Sequence, residues 1–116
     1  MPLLTRGFID VLEKAKHFDK HVTRRREFPF TTPDEYEASA DAFLTSPLDS
    51  TTTEECYRTK RDGTVGDKVR YNRITQQFGV LGNDNVIRSY FKPDPARHGK
   101  GTNLNYFHDA CNEVRD

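Results

Sequence analysis

The chain has 116 residues, of which 31% are charged and 34% hydrophobic, with eight Phe and five Tyr. This length predicts a single domain over residues 1–116 with one modest core, and the aromatic content argues against disorder. No apolar run approaches the length of a membrane span, and Met1–Phe8 lacks the apolar centre of a signal peptide. We therefore expect no membrane span, and secretion would need another segment.

Charge is balanced overall but unevenly distributed along the chain. The formal net charge is zero, yet residues 1–30 and 57–100 carry +3 and +6, whereas residues 31–56 and 101–116 carry −7 and −2. Local potential governs the binding of a polyanion more than net charge does, so this split favours a basic surface beside an acidic one. Ordinary mixed surface charge is the alternative interpretation.

The first predicted element is an amphipathic helix. Thr5 is its expected N-cap, and the cations Arg24, Arg25 and Arg26 suit the C-terminal end of the helix dipole. Its apolar residues recur at three- and four-residue steps, which is typical of a helix with one apolar face: Leu4, Phe8, Val11, Leu12, Ala15, Phe18 and Val22.

Two imidazoles lie near the end of this helix. His17 and His21 are four residues apart, and each follows a lysine, Lys16 or Lys20. On a helix the two rings share one face at the edge of the apolar stripe, with Cβ atoms roughly 5–6 Å apart. Imidazoles exchange protons near neutral pH, and a pair beside fixed positive charge suits phosphodiester cleavage. Two solvated histidines on a basic helix give the same spacing.

The next segment carries a clear helix start. Thr32-Pro33-Asp34-Glu35 combines a Thr N-cap, a Pro at the first helical position and a Glu that completes a capping box. Pro47 ends this helix, and a polar loop follows as far as Glu55.

From Cys56 onward the pattern changes to short β-prone runs joined by turn residues. The short links favour an antiparallel meander, and Thr102 can cap a last helix. We therefore predict an α+β domain in which N-terminal helices pack on a three- to four-stranded antiparallel sheet and a C-terminal helix follows, with the helices against one face of the sheet. The predicted strands are Cys56–Lys60, Lys68–Asn72, Phe78–Leu81 and Val86–Phe91.

The last predicted strand alternates in character. Ile87, Ser89 and Phe91 are expected to face the helices, which leaves Arg88, Tyr90 and Lys92, together with Val86, on the other face. That second set offers phosphate donors and a ring for base stacking, unless it is simply the polar face of a half-exposed sheet. Ser89 and Tyr90 reach one phosphate only if the strand bulges or the site lies at the sheet edge.

These residues are the parts of a metal-independent ribonuclease. Such an enzyme needs a base for the ribose 2′-hydroxyl, an acid for the leaving 5′-oxygen and cations for the phosphorane charge. His17 and His21 are the candidate base and acid, and Lys20 and Arg88 are candidates for charge stabilisation. Ser89 and Tyr90 are also predicted to be catalytic. The predicted substrate-binding residues are Lys92, Arg70, Tyr71 and Lys16.

Several short motifs resemble a known family. They are His-Phe-x-Lys-His, Pro-Asp-Glu-Tyr, Tyr-Asn followed by Phe-Gly-Val, and Ile-Arg-Ser-Tyr-Phe-Lys-Pro-Asp-Pro. Over about residues 14–108 they resemble the C-terminal toxin domains of bacterial polymorphic and contact-dependent inhibition systems, which belong to the barnase–EndoU–colicin–RelE class of ribonucleases. Ser89 stands where Thr is expected, and Arg24–Arg26 replaces a Gly-rich connection.

The resemblance implies an antibacterial toxin that cleaves RNA, often tRNA, and that a cognate immunity protein neutralises. It also implies secretion or delivery as the C-terminus of a larger protein, action in the target-cell cytoplasm and, in some cases, a host factor such as an elongation factor. With the predicted chemistry, the product is a 2′,3′-cyclic phosphate. A non-catalytic RNA-binding module and a protein-interaction domain are the alternatives.

Neither metal chemistry nor thiol chemistry is expected. His17 and His21 have no Glu in the position of a zinc-protease motif and no obvious third ligand, so no metal and no cofactor is predicted. Cys56 and Cys111 are far apart in sequence and lack metal-ligand spacing, which predicts two free thiols or at most one optional bridge.

Overall fold

The computed structural model describes residues 3–114, and its elements follow the predicted order. Helix α1 (Val11–Phe18) runs directly into a π-helical turn, Asp19–Arg24, and helix α2 (Pro33–Thr45) precedes the sheet. The other elements are β1 (Thr53–Thr59), β2 (Val65–Asn72), β3 (Phe78–Leu81), β4 (Ile87–Phe91), α3 (Pro95–His98) and α4 (Asn103–Asn112). No helix among these residues is long and apolar enough to cross a membrane.

The four strands form one antiparallel meander in the order β1-β2-β3-β4. The α+β fold class is therefore confirmed. β1 begins at Thr53, earlier than predicted, and Thr53 pairs with Asn72 at the end of β2. β2 also begins earlier than predicted, at Val65, which pairs with Thr59 next to the hairpin turn. The tight turn between them contains Gly63 at φ +85°, a conformation that glycine adopts without strain.

Helices cover both faces of the sheet, so the expectation that they share one face is wrong. Tyr36, Ala40 and Leu44 of α2 pack with Leu81 and Tyr90 on one side. On the other side, α4 packs Phe107 and Ala110 against a second cluster: Val69, Tyr71, Phe78 and Val80. All four residues of β3 are buried, as expected of a strand between two layers.

The first helix is shorter than predicted, and Thr5 is not its N-cap. Gly7 has φ +70°, which interrupts a helix, and Asp10 caps α1 by accepting a 2.8 Å hydrogen bond from the backbone of Glu13. Thr5 instead donates its hydroxyl to Asp41 at 2.6 Å, which fastens the N-terminal segment to α2. The amide of Ile87 donates to Gly7 at 2.8 Å, so this segment also pairs with the start of β4.

Cys56 and Cys111 form a disulfide between β1 and α4. Of the two predicted alternatives, the single bridge is present and the two free thiols are not. The packing of α4 on the sheet brings the two Cα atoms to 6.0 Å, although 55 positions separate the residues in sequence. The bridge fastens the C-terminal helix over the sheet.

Candidate functional site

The imidazoles of His17 and His21 lie side by side, as the spacing predicts. Their ring centroids are 6.0 Å apart and the planes are 25° from parallel. The stack continues at both ends, with Phe8 at 5.0 Å from His17 and Phe91 at 5.0 Å from His21. This column of four rings joins the N-terminal segment, the first helix and the last strand.

The π-helical turn sets the direction of His21. Its backbone hydrogen bonds span more residues than the four of an α-helix. The amide of Arg25 donates to the carbonyl of Lys20 at 3.1 Å, and the amide of Glu27 donates to the carbonyl of His21 at 2.8 Å. Arg26 then adopts φ +53°, the left-handed conformation that favours glycine. A π-helical segment is rare and is found frequently at functional sites.

His21 is buried and held from both sides. Only 3% of the residue is exposed, and Nδ1 lies 3.1 Å from the Glu27 carboxylate. The other oxygen of Glu27 accepts the backbone N–H of Lys92 at 2.7 Å. Glu27 therefore ties the π-helical turn to the end of β4, and His21 has no open face for a bound molecule. Its contribution to a site is to position His17.

His17 is the accessible imidazole. Its side chain is 23% exposed, Nε2 lies 3.5 Å from a carboxylate oxygen of Glu13, and Nδ1 is buried with no hydrogen-bond partner in residues 3–114. Burial lowers the pKa of His17, and the neighbouring His21 lowers it further, against the opposing effect of Glu13. The ring is therefore neutral at pH 7 and can accept a proton.

A groove beside β4 brings His17 and Arg88 together. We call it the His17 groove; its volume is about 220 Å³, and it is lined by Phe8, Ile9, Glu13, His17, Val86, Ile87 and Arg88. Arg88 forms an ion pair with Asp84 at 2.8 Å on the exposed rim. A neutral imidazole, a carboxylate and a guanidinium thus share one small cleft.

A β-bulge turns Arg88 and Ser89 toward the same side. Val80 pairs with Ser89 and Leu81 with Ile87, which leaves Arg88 as the extra residue of β4. Both residues line a second cavity of about 410 Å³ between the sheet and α4, here called the sheet cavity, with Lys60, Phe91 and Tyr106 also in its wall. The predicted possibility of a bulge is therefore realised, and Ser89 lies beside Arg88 in the sheet cavity, although neither Ser89 nor Tyr90 lines the His17 groove.

Tyr90 is fully buried under α2, so its expected position on an exposed face is wrong. Its hydroxyl lies 2.7 Å from Ser39 Oγ and accepts a hydrogen bond from Gln77 at 2.5 Å. Its carbonyl accepts the hydroxyl of Tyr36. Burial raises the pKa of Tyr90. The expectation failed because α2, and not solvent, covers this face of β4.

Arg70 and Tyr71 are also buried, on opposite faces of β2, and neither of them lines the His17 groove. Arg70 is paired with Glu55 and donates to the carbonyls of Phe43 and Ser46 at 3.0 and 2.7 Å. Tyr71 donates to Gln76 at 2.7 Å and stacks on Phe107. Both side chains stabilise helix packing on the sheet.

The predicted lysines lie at the surface around the His17 groove and the end of β4. Lys16 and Lys20 are exposed on the turns that carry the two imidazoles. Lys16 is 3.9 Å from Glu13. The ammonium of Lys92 lies 5.3 Å above the ring of Phe28, and its backbone is bound by Glu27.

Glu13 is the residue of the groove that sequence reasoning missed. Its spacing of four positions from His17 was a visible signal, because such a pair shares one helix face.

Within residues 3–114 no cluster of His, Cys, Asp and Glu could hold a metal ion. No model of a known protein family matches the chain, and no curated protein matches it significantly.

Proposed function

We propose that this chain is an antibacterial toxin endoribonuclease that cleaves RNA, with tRNA as the substrate the motif resemblance implies. The reaction is a metal-independent transesterification that leaves a 2′,3′-cyclic phosphate. One observation carries the proposal: a neutral, partly exposed imidazole, that of His17, shares a groove with the guanidinium of Arg88. The same groove contains a carboxylate, Glu13, within 3.5 Å of the imidazole.

In this mechanism Nε2 of His17 removes the proton of the ribose 2′-hydroxyl, because Nδ1 is buried. The 2′-oxygen then bonds to phosphorus, the bond from phosphorus to the 5′-oxygen breaks, and solvent supplies the proton of the leaving group. Glu13 stabilises the imidazolium that forms, because its carboxylate lies 3.5 Å from Nε2. Arg88 leaves its ion pair with Asp84 and binds the phosphate. Arg88 and Lys20 together stabilise the negative charge of the phosphorane, and the hydroxyl of Ser89 donates a hydrogen bond to a phosphate oxygen.

The disulfide supports the part of the proposal that concerns delivery. Disulfides persist in oxidising compartments, which a secreted or exported protein crosses, and are rare in proteins that stay in the cytosol. On this proposal the chain is delivered into the cytoplasm of a target cell. A cognate immunity protein covers the His17 groove with acidic side chains, and a host factor such as an elongation factor takes part where the substrate requires it.

Purified chain incubated with total tRNA and EDTA tests the proposal. We expect discrete fragments that end in a cyclic phosphate, and we expect His17→Ala to abolish them. His108→Ala is the matched control, because it removes an exposed imidazole on α4 outside the groove. RNA that is bound but stays intact would identify a binding module, and failure to bind RNA even at low salt would favour a protein-interaction domain.

A further inference from the structure

A third cavity lies at the far end of β4 from the His17 groove. Its volume is about 210 Å³, and we call it the distal cavity. Three cations from three segments of the chain meet in its wall: Arg25 after the π-helical turn, Lys92 after β4 and Arg97 in α3. Phe91 and Tyr106 supply its apolar side.

Positive charge is in excess in the distal cavity. Its two carboxylates are Glu27 and Asp94, and both oxygens of Glu27 are engaged, by His21 and by the backbone of Lys92. Asp94 lies 3.7 Å from Arg97. Within residues 3–114 no carboxylate forms an ion pair with the guanidinium of Arg25 or the ammonium of Lys92. The cavity therefore suits an anion that brings its own charge.

The three cavities are connected along the last strand. Arg88 lines both the His17 groove and the sheet cavity, and Phe91 and Tyr106 line both the sheet cavity and the distal cavity. The backbone from Ile87 to Lys92 rises roughly 17 Å. A flexible polyanion that binds at His17 and Arg88 can thus follow β4, along aromatic side chains, to Arg25.

We infer that the distal cavity binds a second phosphate of the polyanion held at the His17 groove, through Arg25, Lys92 and Arg97. The inference rests on the proposed function for the identity of that polyanion, which is single-stranded RNA. A path along one strand, with cations at each end and rings between, is typical of single-strand binding, and it gives an unpaired loop preference over a duplex. The aromatic wall contacts the sugar or base between the two phosphates.

Binding of a 2′-O-methyl RNA hexanucleotide tests the inference without any requirement for activity, because this ligand has no 2′-hydroxyl to attack phosphorus. Affinity is measured by fluorescence anisotropy over a range of salt concentrations. For Arg25→Gln/Arg97→Gln we expect about tenfold weaker binding and a salt slope smaller by about 0.7, the value for one phosphate of a single strand.

The matched control is Arg24→Gln/Lys100→Gln. It removes the same charge from two exposed residues outside the three cavities, which pair with Asp19 and Asp109. We expect less than about a twofold change in affinity. Equal melting temperatures of the two variants and the parent chain show that both remain folded.

An equal loss of affinity in both double variants, an unchanged affinity in the Arg25 and Arg97 variant, or no binding by the parent chain at low salt would overturn the inference. These results are separable from the proposed function. If tRNA is cleaved but the two double variants bind the hexanucleotide with equal affinity, the proposal of a phosphate site in the distal cavity is wrong and the proposed ribonuclease activity is retained. If tRNA stays intact while only the Arg25 and Arg97 variant loses affinity for the hexanucleotide, the proposed ribonuclease activity is wrong and the phosphate site in the distal cavity is retained.

Discussion

His17 and His21 have stacked rings whose centroids are 6.0 Å apart, yet only His17 is open to a bound molecule. The change from α-helix to π-helix between the two residues turns His21 into the core against Phe91. Two histidines that each follow a lysine therefore have different environments. In the proposed mechanism His17 exchanges protons, whereas His21 is bound to Glu27 within the column of rings.

Replacing the accessible imidazole should abolish activity and leave the fold intact. We expect His17→Ala to reduce the cleavage rate by at least about 100-fold, because the variant has no base for the 2′-hydroxyl. The unfolding free energy should fall by only about 1–2 kcal/mol, since the ring loses its stacking on Phe8 and His21 but is partly exposed, and its buried Nδ1 has no partner to lose. Urea unfolding and a tRNA cleavage assay measure the two effects. A large loss of stability would instead assign His17 to packing.

Replacing the buried imidazole should destabilise the protein. His21→Ala leaves a cavity between His17 and Phe91 and removes the partner of the nearly buried Glu27, so we expect a loss of about 2–4 kcal/mol in unfolding free energy. His108→Ala, at an exposed site, should change it by less than about 0.5 kcal/mol. A His21 variant with wild-type stability and no activity would show that His21 itself takes part in catalysis.

The activity should depend on one ionisation below neutrality. Only the neutral form of His17 can act as the base, so the cleavage rate should rise as pH passes through the pKa of His17. Because burial lowers that pKa, the midpoint of the rise should lie below 6.5, and the rate should then stay flat to pH 8. A second, falling limb below pH 8 would indicate another proton-transfer group, as two exposed imidazoles would produce.

Stability should respond to the same group. A histidine whose pKa is lower in the folded chain binds more protons when the chain is unfolded. The contribution of His17 to the unfolding free energy is therefore complete above the unfolded pKa of about 6.5, and it is lost as pH falls from there through the folded pKa. The difference in unfolding free energy between the parent and His17→Ala should shrink or reverse over that range. Urea titrations from pH 5 to 7.5 measure it, and a constant difference would contradict the lowered pKa.

Relieving the strained backbone after the π-helical turn should stabilise the fold. Arg26 has φ +53°, so Arg26→Gly should raise the unfolding free energy by about 0.5–1 kcal/mol, and thermal unfolding reports the gain. Arg24→Gly is the control, because Arg24 lies inside the helical turn, where glycine should lower stability by about 1 kcal/mol. A lower melting temperature for Arg26→Gly would mean that the Arg26 side chain stabilises the turn.

Reducing the disulfide should weaken the fold. Cys56→Ser/Cys111→Ser removes a cross-link across 55 positions, and we expect a loss of about 2–4 kcal/mol. Urea unfolding of the parent chain with and without reductant gives an independent value. Unfolding curves that coincide in both conditions would show that the bridge does not form in solution.

Local signals in the sequence determined the secondary structure. The capping box at Thr32 and Glu35 and the N-cap Thr102 lie where they were predicted, because each depends on contacts within three or four residues. The shared face of His17 and His21 belongs to the same class of prediction. These signals were sufficient for the order of the N-terminal helices, the strands and the C-terminal helix and for the α+β class, but not for the π-helical turn or α3.

Only the tertiary structure decided which side chains are exposed. Alternation placed Tyr90 and Ser89 on opposite faces of β4 but did not show that α2 buries Tyr90, or that a bulge brings Ser89 beside Arg88. The bridge from Cys56 to Cys111 and the contact of His21 with Glu27 depended on packing in the same way. Exposure is decided by neighbours that are distant in sequence, and a local pattern carries no information about which of them cover it.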